Sequence, residues 1–254
     1  MGSAADTISV VVRCHDYGRF LGEAMRSVAQ QTRQPIEVVI VDDGSTDETF
    51  VVATELGERY DNVHVITRHP ARGAAASFND GVAASLGELI VALDADDRMS
   101  PTYLEDLALA LAEPELGFAY ADERMFGSAD NVRIAHPWDR EELARENYVN
   151  VSAMFRREVF DRTGGLRSDL DGLGLEDWEF WLHAVAAGFV GTPVSTCWLE
   201  YRRHPAGSRN SMKRAQVLRV HLNMRTLHPS VVRRRDVAAW ALRSIARNAK
   251  RLVP

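Results

Sequence analysis

Four short, mostly apolar runs mark the first hundred positions: Ile8–Val12, Ile36–Val41, Val63–Ile66 and Leu89–Leu93, broken only by Ser9, Glu37 and His64. All but the last are rich in β-branched residues, and each is the length of a strand buried on both faces. The stretches between them follow a different period. In Phe20–Gln31 the apolar residues fall at 21, 24, 25 and 28, and Thr46–Tyr60, Gly73–Ser85 and Pro101–Leu111 also read as helices. Ser45 or Thr46 is the expected N-cap of the second helix, and Pro101 suits the first turn of the fourth. Strands alternating with helices predict an α/β fold: a mostly parallel, Rossmann-like sheet flanked by helices and wound in right-handed crossovers.

The rhythm changes near residue 115. Phe118–Phe126 and Val151–Phe155 read as strands, 127–150 as irregular, and Asp177–Ala187 as a helix bearing Trp178 and Trp181. No Gly/Ser/Pro-rich linker separates the parts. The expected organisation is a ligand-binding half over 1–115, a second half of the same domain over 116–205, and a basic helical extension over 206–254.

Composition narrows the class without naming it. The chain has 254 residues, 46 % hydrophobic and 26 % charged, ordinary values for a globular protein. No run approaches the ~18 apolar residues of a membrane span, and residues 1–6 lack the pattern of a signal peptide. Cys14 and Cys197 are the only cysteines; they fit a reducing cytoplasm better than a disulfide framework. The net charge of −6 conceals an asymmetry, because residues 201–254 hold 14 Lys or Arg and a single acid, Asp236. Such a tail either faces an anionic surface or is a solvated helix face. Ala238, Ala241, Leu242, Ile245, Ala249, Leu252 and Val253 recur at helical spacing opposite Arg243, Arg247, Lys250 and Arg251. That amphipathic stripe suits packing on the protein's own body or a second copy, and also weak peripheral contact at the inner face of a membrane. Nucleic acid is not expected as a partner, since Trp240 is the one aromatic ring after Tyr201.

In open parallel sheets ligands bind beyond the carboxyl ends of the strands. The residues there are Arg13, Cys14, His15 and Asp16 after the first strand, Asp42–Ser45 after the second, and Asp94-Ala95-Asp96-Asp97 after the fourth. Crowded carboxylates raise one another's pKa unless a cation neutralises them, and an all-oxygen set points to Mg²⁺ or Mn²⁺. Taken alone, an exposed acidic turn capping a helix explains Asp94–Asp97 as well. The signatures of dinucleotide, P-loop, serine-hydrolase and zinc-protease sites are missing.

The motifs in order are Ser9-Val10-Val11-Val12, Tyr17-Gly18-Arg19-Phe20-Leu21, Val41-Asp42-Asp43-Gly44-Ser45-Thr46-Asp47, Leu93-Asp94-Ala95-Asp96-Asp97 and Glu176-Asp177-Trp178. Together they resemble inverting glycosyltransferase family 2, Leloir enzymes of the GT-A fold, over roughly residues 7–205. The resemblance implies transfer of a sugar from a nucleotide-diphosphate donor, a UDP-sugar foremost, to an acceptor hydroxyl. It implies that Arg13, His15 and Asp43 line the base pocket, that Arg72 approaches the base or diphosphate, and that Asp94 lies on the ribose side. Asp96, with Asp94 and His204, would hold Mn²⁺ or Mg²⁺. Asp177 would be the catalytic base with Glu176 beside it, and Trp178 would stack on the acceptor or pack in the core. The acceptor, whether glycan, lipid carrier, peptide or small molecule, is not written in these motifs. Two departures touch the base pocket: Arg13 stands where the family often has Pro or Thr, and His15-Asp16 replaces a common Tyr-Asn. A catalytically silent binding protein of the same fold and a nucleotidyltransferase are the alternatives.

Overall fold

A computed structural model of the chain describes residues 7–170, 175–205 and 214–238. The first three parallel pairings join β3 (Val63–Arg68) to β2 (Glu37–Asp43), β2 to β1 (Ile8–Cys14), and β1 to β4 (Leu89–Asp94). The sheet continues through β8 (Met154–Arg156), β6 (Leu116–Gly127) and β9 (Val190–Arg203), and ends on β5 (Arg98–Met99). β7 (Val132–Arg133) pairs with β6 off this path. The long pairings are all parallel, and each antiparallel one covers only two residue pairs. The expected mostly parallel sheet is therefore present, with a mixed second half.

Both faces of β1, β2 and β4 are covered, which explains their largely apolar runs, whereas the edge strand β3 is only partly buried. Along β1, Val10 and Val12 join a core with α1 (Gly18–Ala29), α2 (Thr49–Arg59) and α4 (Tyr103–Ala110). Val11 points the other way, into a core with α3 (Ala74–Ala84), α6 (Arg157–Thr163) and α7 (Glu176–Ala186). Val38 and Ile40 oppose Val39 and Val41 in the same manner, as the two-residue period of a strand requires.

The second half holds what the hydrophobic pattern did not announce. Besides β7, the 127–150 stretch contains α5 (Arg140–Leu143), capped by the Asp139 carboxylate accepting from the backbone of Glu141 and Glu142. The 14-residue β9 and the helix α6 were not expected. The cap of α2 also differs from expectation. The helix begins at Thr49, and Asp47, not Ser45 or Thr46, accepts from the Thr49 amide at 2.9 Å. Ser45 instead accepts the Asp16 amide at 2.9 Å, and the Thr46 amide donates to Asp16 at 2.7 Å.

Of the described part of the basic extension, 214–227 and 234–238 are helical and 228–233 form a turn. Helix α8 spans Arg214–Leu227, and Val220, Met224, Val231, Val232 and Val237 share the core that contains Trp178 and Leu143. The amphipathic stripe lies almost wholly in 239–254, outside the described residues. Among the described residues no helix is long and apolar enough to cross a membrane.

Candidate active site

The strand order changes direction at β1: the chain leaves it for β2 on one side and returns as β4 on the other. Crevices form at such switch points. Cα register places Arg13 beside Asp94 and Cys14 beside Asp42, so the polar residues that end β1, β2 and β4 share one rim.

On the β2 side, His15, Asp43 and Arg72 are brought together. His15 Nδ1 lies 2.8 Å from the Asp43 carbonyl oxygen, and its side chain is half exposed. The Asp43 carboxylate is turned inward and is 3 % exposed. It accepts from the Arg72 amide at 2.9 Å and the Gly73 amide at 2.6 Å, and the Arg68 guanidinium lies 3.2 Å away. The physical reason is α3, whose N-cap is Gly73 at φ 95° with no side chain to offer. Asp43 supplies, from another strand, the acceptor that a helix N-terminus needs. The carboxylate expected against the base is thus first a clamp on the loop that carries Arg72. Arg72 itself is exposed and pairs with Asp80 at 3.2 Å. Gly44 allows the close approach, since a Cβ there would lie 2.8 Å from the Ala71 nitrogen at a φ of 70°.

The acidic turn lies at the centre. Arg13 Nη2 donates to Asp94 Oδ1 at 2.5 Å, so the Arg13 side chain faces the acidic turn. Asp96 Oδ2 lies 2.8 Å from His204 Nε2. Burial first, and then the charge of Asp94, push the Asp96 carboxyl upward, against the pull of His204. Asp97 is 2 % exposed and accepts the Arg202 amide at 2.7 Å; burial and the neighbouring Asp96 and Asp94 hold its carboxyl well above the usual range. The residues that hold this turn escaped sequence reasoning. Arg202 donates from Nε to the Asp96 carbonyl oxygen at 2.8 Å and from Nη2 to Glu23 at 2.8 Å, while its guanidinium lies over Phe20 and Phe126 at 4.3 Å each. The His204 ring stacks on Tyr17 with centroids 5.8 Å apart. These contacts brace the metal-ligand candidates with cation–π and ring packing. The sign in the sequence was the pairing of Tyr17 and Phe20 with a late Arg-x-His.

At the start of α7, Asp177 and Glu176 complete the rim. Burial foremost, and then the Glu176 charge, raise the Asp177 carboxyl to about 7; the Trp178 amide at 2.7 Å, an Asn147 hydrogen bond and Arg13 oppose the rise. Glu176 accepts the Leu175 amide at 2.8 Å. Trp178 does not offer a face to a sugar. It is 2 % exposed, its Nε1 donates to the Leu143 carbonyl oxygen at 2.7 Å, and its ring meets His221 edge-on at 4.8 Å. Trp181 also packs in the core, at 1 % exposure. Among the described residues no group of three or more His, Cys, Asp or Glu side chains is arranged to enclose a metal ion by itself.

The chain's relatives agree with this architecture. The family model described as Glycosyl transferase family 2 matches residues 9–167. The O-antigen biosynthesis protein RfbC of Myxococcus xanthus is 34 % identical over 171 residues, which are 65 % of this chain but 13 % of that protein. The UDP-Glc:alpha-D-GlcNAc-diphosphoundecaprenol beta-1,3-glucosyltransferase WfaP of Escherichia coli is 23 % identical over 223 residues, 84 % of either chain. The crystal structure of S. aureus TarS 1-349 in complex with UDP-GlcNAc superposes with a TM-score of 0.70 at 18 % identity, covering 86 % of this chain and 66 % of that one. The mannosyltransferase PcManGT from Pyrobaculum calidifontis, in complex with GDP-Man and Mn²⁺, does so with a TM-score of 0.59 at 21 % identity, covering 75 % of this chain and 56 % of that one. At these identities the structural likeness is one of fold, the GT-A fold. The family match covers more than half of the chain, and the chain belongs to glycosyl transferase family 2.

Proposed function

From its place in that family, we propose that the chain transfers a sugar from a nucleotide-diphosphate donor, preferentially a UDP-sugar, to an acceptor hydroxyl with inversion at the anomeric carbon. The observation that carries this reading is Asp177, a carboxyl raised to about 7 on the same rim as the acidic turn. A carboxylate with that proton affinity accepts a hydroxyl proton far better than an ordinary Asp does, and near neutral pH much of it is still ionised. Asp177 takes the proton as the acceptor oxygen attacks, and a single displacement inverts the centre. Glu176 raises the basicity of its neighbour, and Asn147 orients it.

The donor set fits a divalent cation. Asp96 and His204 meet at 2.8 Å, and Asp96 lacks a positive partner strong enough to offset burial and Asp94. Two protein ligands suit Mn²⁺ or Mg²⁺, which leave positions for phosphate oxygens. When bound, the ion would offset charge on the departing diphosphate. Asp94 is already committed to Arg13 and is the weaker ligand candidate. His15 and Arg72 meet the nucleotide in this reading, with Asp43 acting through the loop it holds. Residues 116–205 form the acceptor half.

The test is calorimetric titration of UDP in Mn²⁺, alongside a thermal-shift panel of nucleotide sugars and an assay that separates released UDP from pyrophosphate. UDP binding is expected to need Mn²⁺, to stop with EDTA, and to weaken roughly tenfold or more in Asp96→Ala. Unchanged UDP affinity in that variant would overturn the metal assignment, and pyrophosphate as product would overturn the reaction.

A further inference from the structure

Arg13 has a setting that base recognition does not explain. Its side chain is 9 % exposed, its Nη2 is spent on Asp94, and its buried Nε has no partner. Burial works against its charge, yet Asp94, Glu176 and Asp177 together favour that charge more. A buried guanidinium with an unspent donor is costly, and such groups are weak contributors to stability even when paired. The three acids arise from different parts of the chain: Asp94 ends β4 in the first half, and Glu176 and Asp177 open α7 in the second. The side chains that act on the Asp177 carboxyl are Glu176 from its own helix, Asn147 by a hydrogen bond from the segment after α5, and the charge of Arg13 from β1. Of these, Arg13 alone brings a positive charge.

We propose that Arg13 is a positioning residue whose buried guanidinium, bonded to the donor-side carboxylate Asp94, brings its charge to the acceptor-side pair Glu176–Asp177 and keeps the base ionised. This rests on the reading of Asp177 as the base. It moves Arg13 away from the base pocket in which the family resemblance had placed it. It also gives a physical sense to the departure at this position, because neither Pro nor Thr brings a charge to that pair. Lysine would bring the charge without the fork that reaches Asp94 and still leaves Nε free.

The experiment is a titration of the aspartate ¹³Cγ resonances of the full chain without ligand, with Asp177 assigned by its loss in Asp177→Asn. In Arg13→Met the Asp177 midpoint should rise by about one pH unit relative to wild type, because an opposing charge has been withdrawn. In Arg13→Lys it should return most of the way. Should the Met variant fail to fold, Arg13→Gln takes its place. A midpoint that does not move in the neutral variants, or one that Lys does not restore, overturns the proposal. The base reading is tested apart from this by the turnover of Asp177→Asn. Loss of turnover with no effect of Arg13 sinks only the link, and a shifted midpoint with turnover intact sinks the base.

Discussion

Replacing Asp177 by Asn should make the protein more stable and less active, and the stability gain should depend on pH in a defined direction. The Asp177 carboxyl stands at about 7 in the folded chain against an ordinary value of 3.8, chiefly because it is desolvated and lies beside Glu176. Between those values the folded state binds more protons than the unfolded one. The stability this group contributes is fully present below 3.8 and is lost as pH rises through 7. Taken whole, the difference is about 4 kcal/mol at ~1.4 kcal/mol per unit, and relaxation and water would leave about 2 kcal/mol. Asn does not titrate and can still accept the Trp178 amide, the hydrogen bond seen at 2.7 Å. At ~2–4 °C per kcal/mol, Asp177→Asn should melt about 4–8 °C above wild type at pH 8, and the two should converge towards pH 4. Scanning calorimetry in a series of buffers without metal reads this directly. A gap that is the same at pH 5 and pH 8, or a wild type that is the more stable at pH 8, would refute the perturbed carboxyl. In turnover, wild-type kcat/KM should rise about tenfold per unit below pH 7 and flatten above it, and the Asn variant should lose about 10²-fold or more.

Two further substitutions test the supports of the site. His228 lies 2.7 Å from Glu179, which is 1 % exposed and whose second oxygen has no partner. His228→Ala strands that carboxylate and should cost about 3–5 kcal/mol, read as a fall in the urea midpoint; a loss under 1 kcal/mol would mean the pair contributes little. Arg202→Met keeps apolar bulk over Phe20 and Phe126 but removes the bonds to Asp96 and Glu23, so UDP affinity in Mn²⁺ should fall roughly tenfold with the melting temperature nearly unchanged, and an affinity equal to wild type would show that the turn holds itself.

The first half of the fold was legible because β1, β2 and β4 are buried on both faces and therefore read as mostly apolar runs. Three particulars show where sequence stops. Trp178, Trp181, Leu182 and Val185 stand at i, i+3, i+4 and i+7, the spacing of a core stripe, and all four are buried; the stripe was there to be read, and the motif beside it drew attention to a sugar instead. The family resemblance implied that Asp43 lines the base pocket. What the letters do not reveal is which way its carboxylate turns, although α3 has neither a capping side chain nor an acid in its first turn, and such a helix needs an acceptor from elsewhere. Strand β9 carries Pro193 and a polar Ser195-Thr196 pair. Its pairing with β6 joins residues about 75 positions apart, and no local window contains that information.

That strand is also what turns a list of motifs into a site. Ala121 of β6 pairs with Val194, but the next residue, Asp122, pairs with Trp198. Three residues, Ser195, Thr196 and Cys197, are therefore extra on β9. Side chains alternate faces with a period of two, so an odd insertion reverses which face each later residue presents. Cys197 within the bulge and Leu199 after it are buried, and Arg98 and Met99 pair with Glu200 and Leu199 directly beyond the acidic turn. That register sets the Arg202 amide on Asp97 and His204 on Asp96. A slip of one residue would move His204 by about 3.3 Å along the strand and turn it to the opposite face. The contact between Asp96 and His204, 108 positions apart, thus depends on a bulge of residues that carry no catalytic chemistry, and deleting one of them should abolish Mn²⁺-dependent UDP binding without touching any ligand.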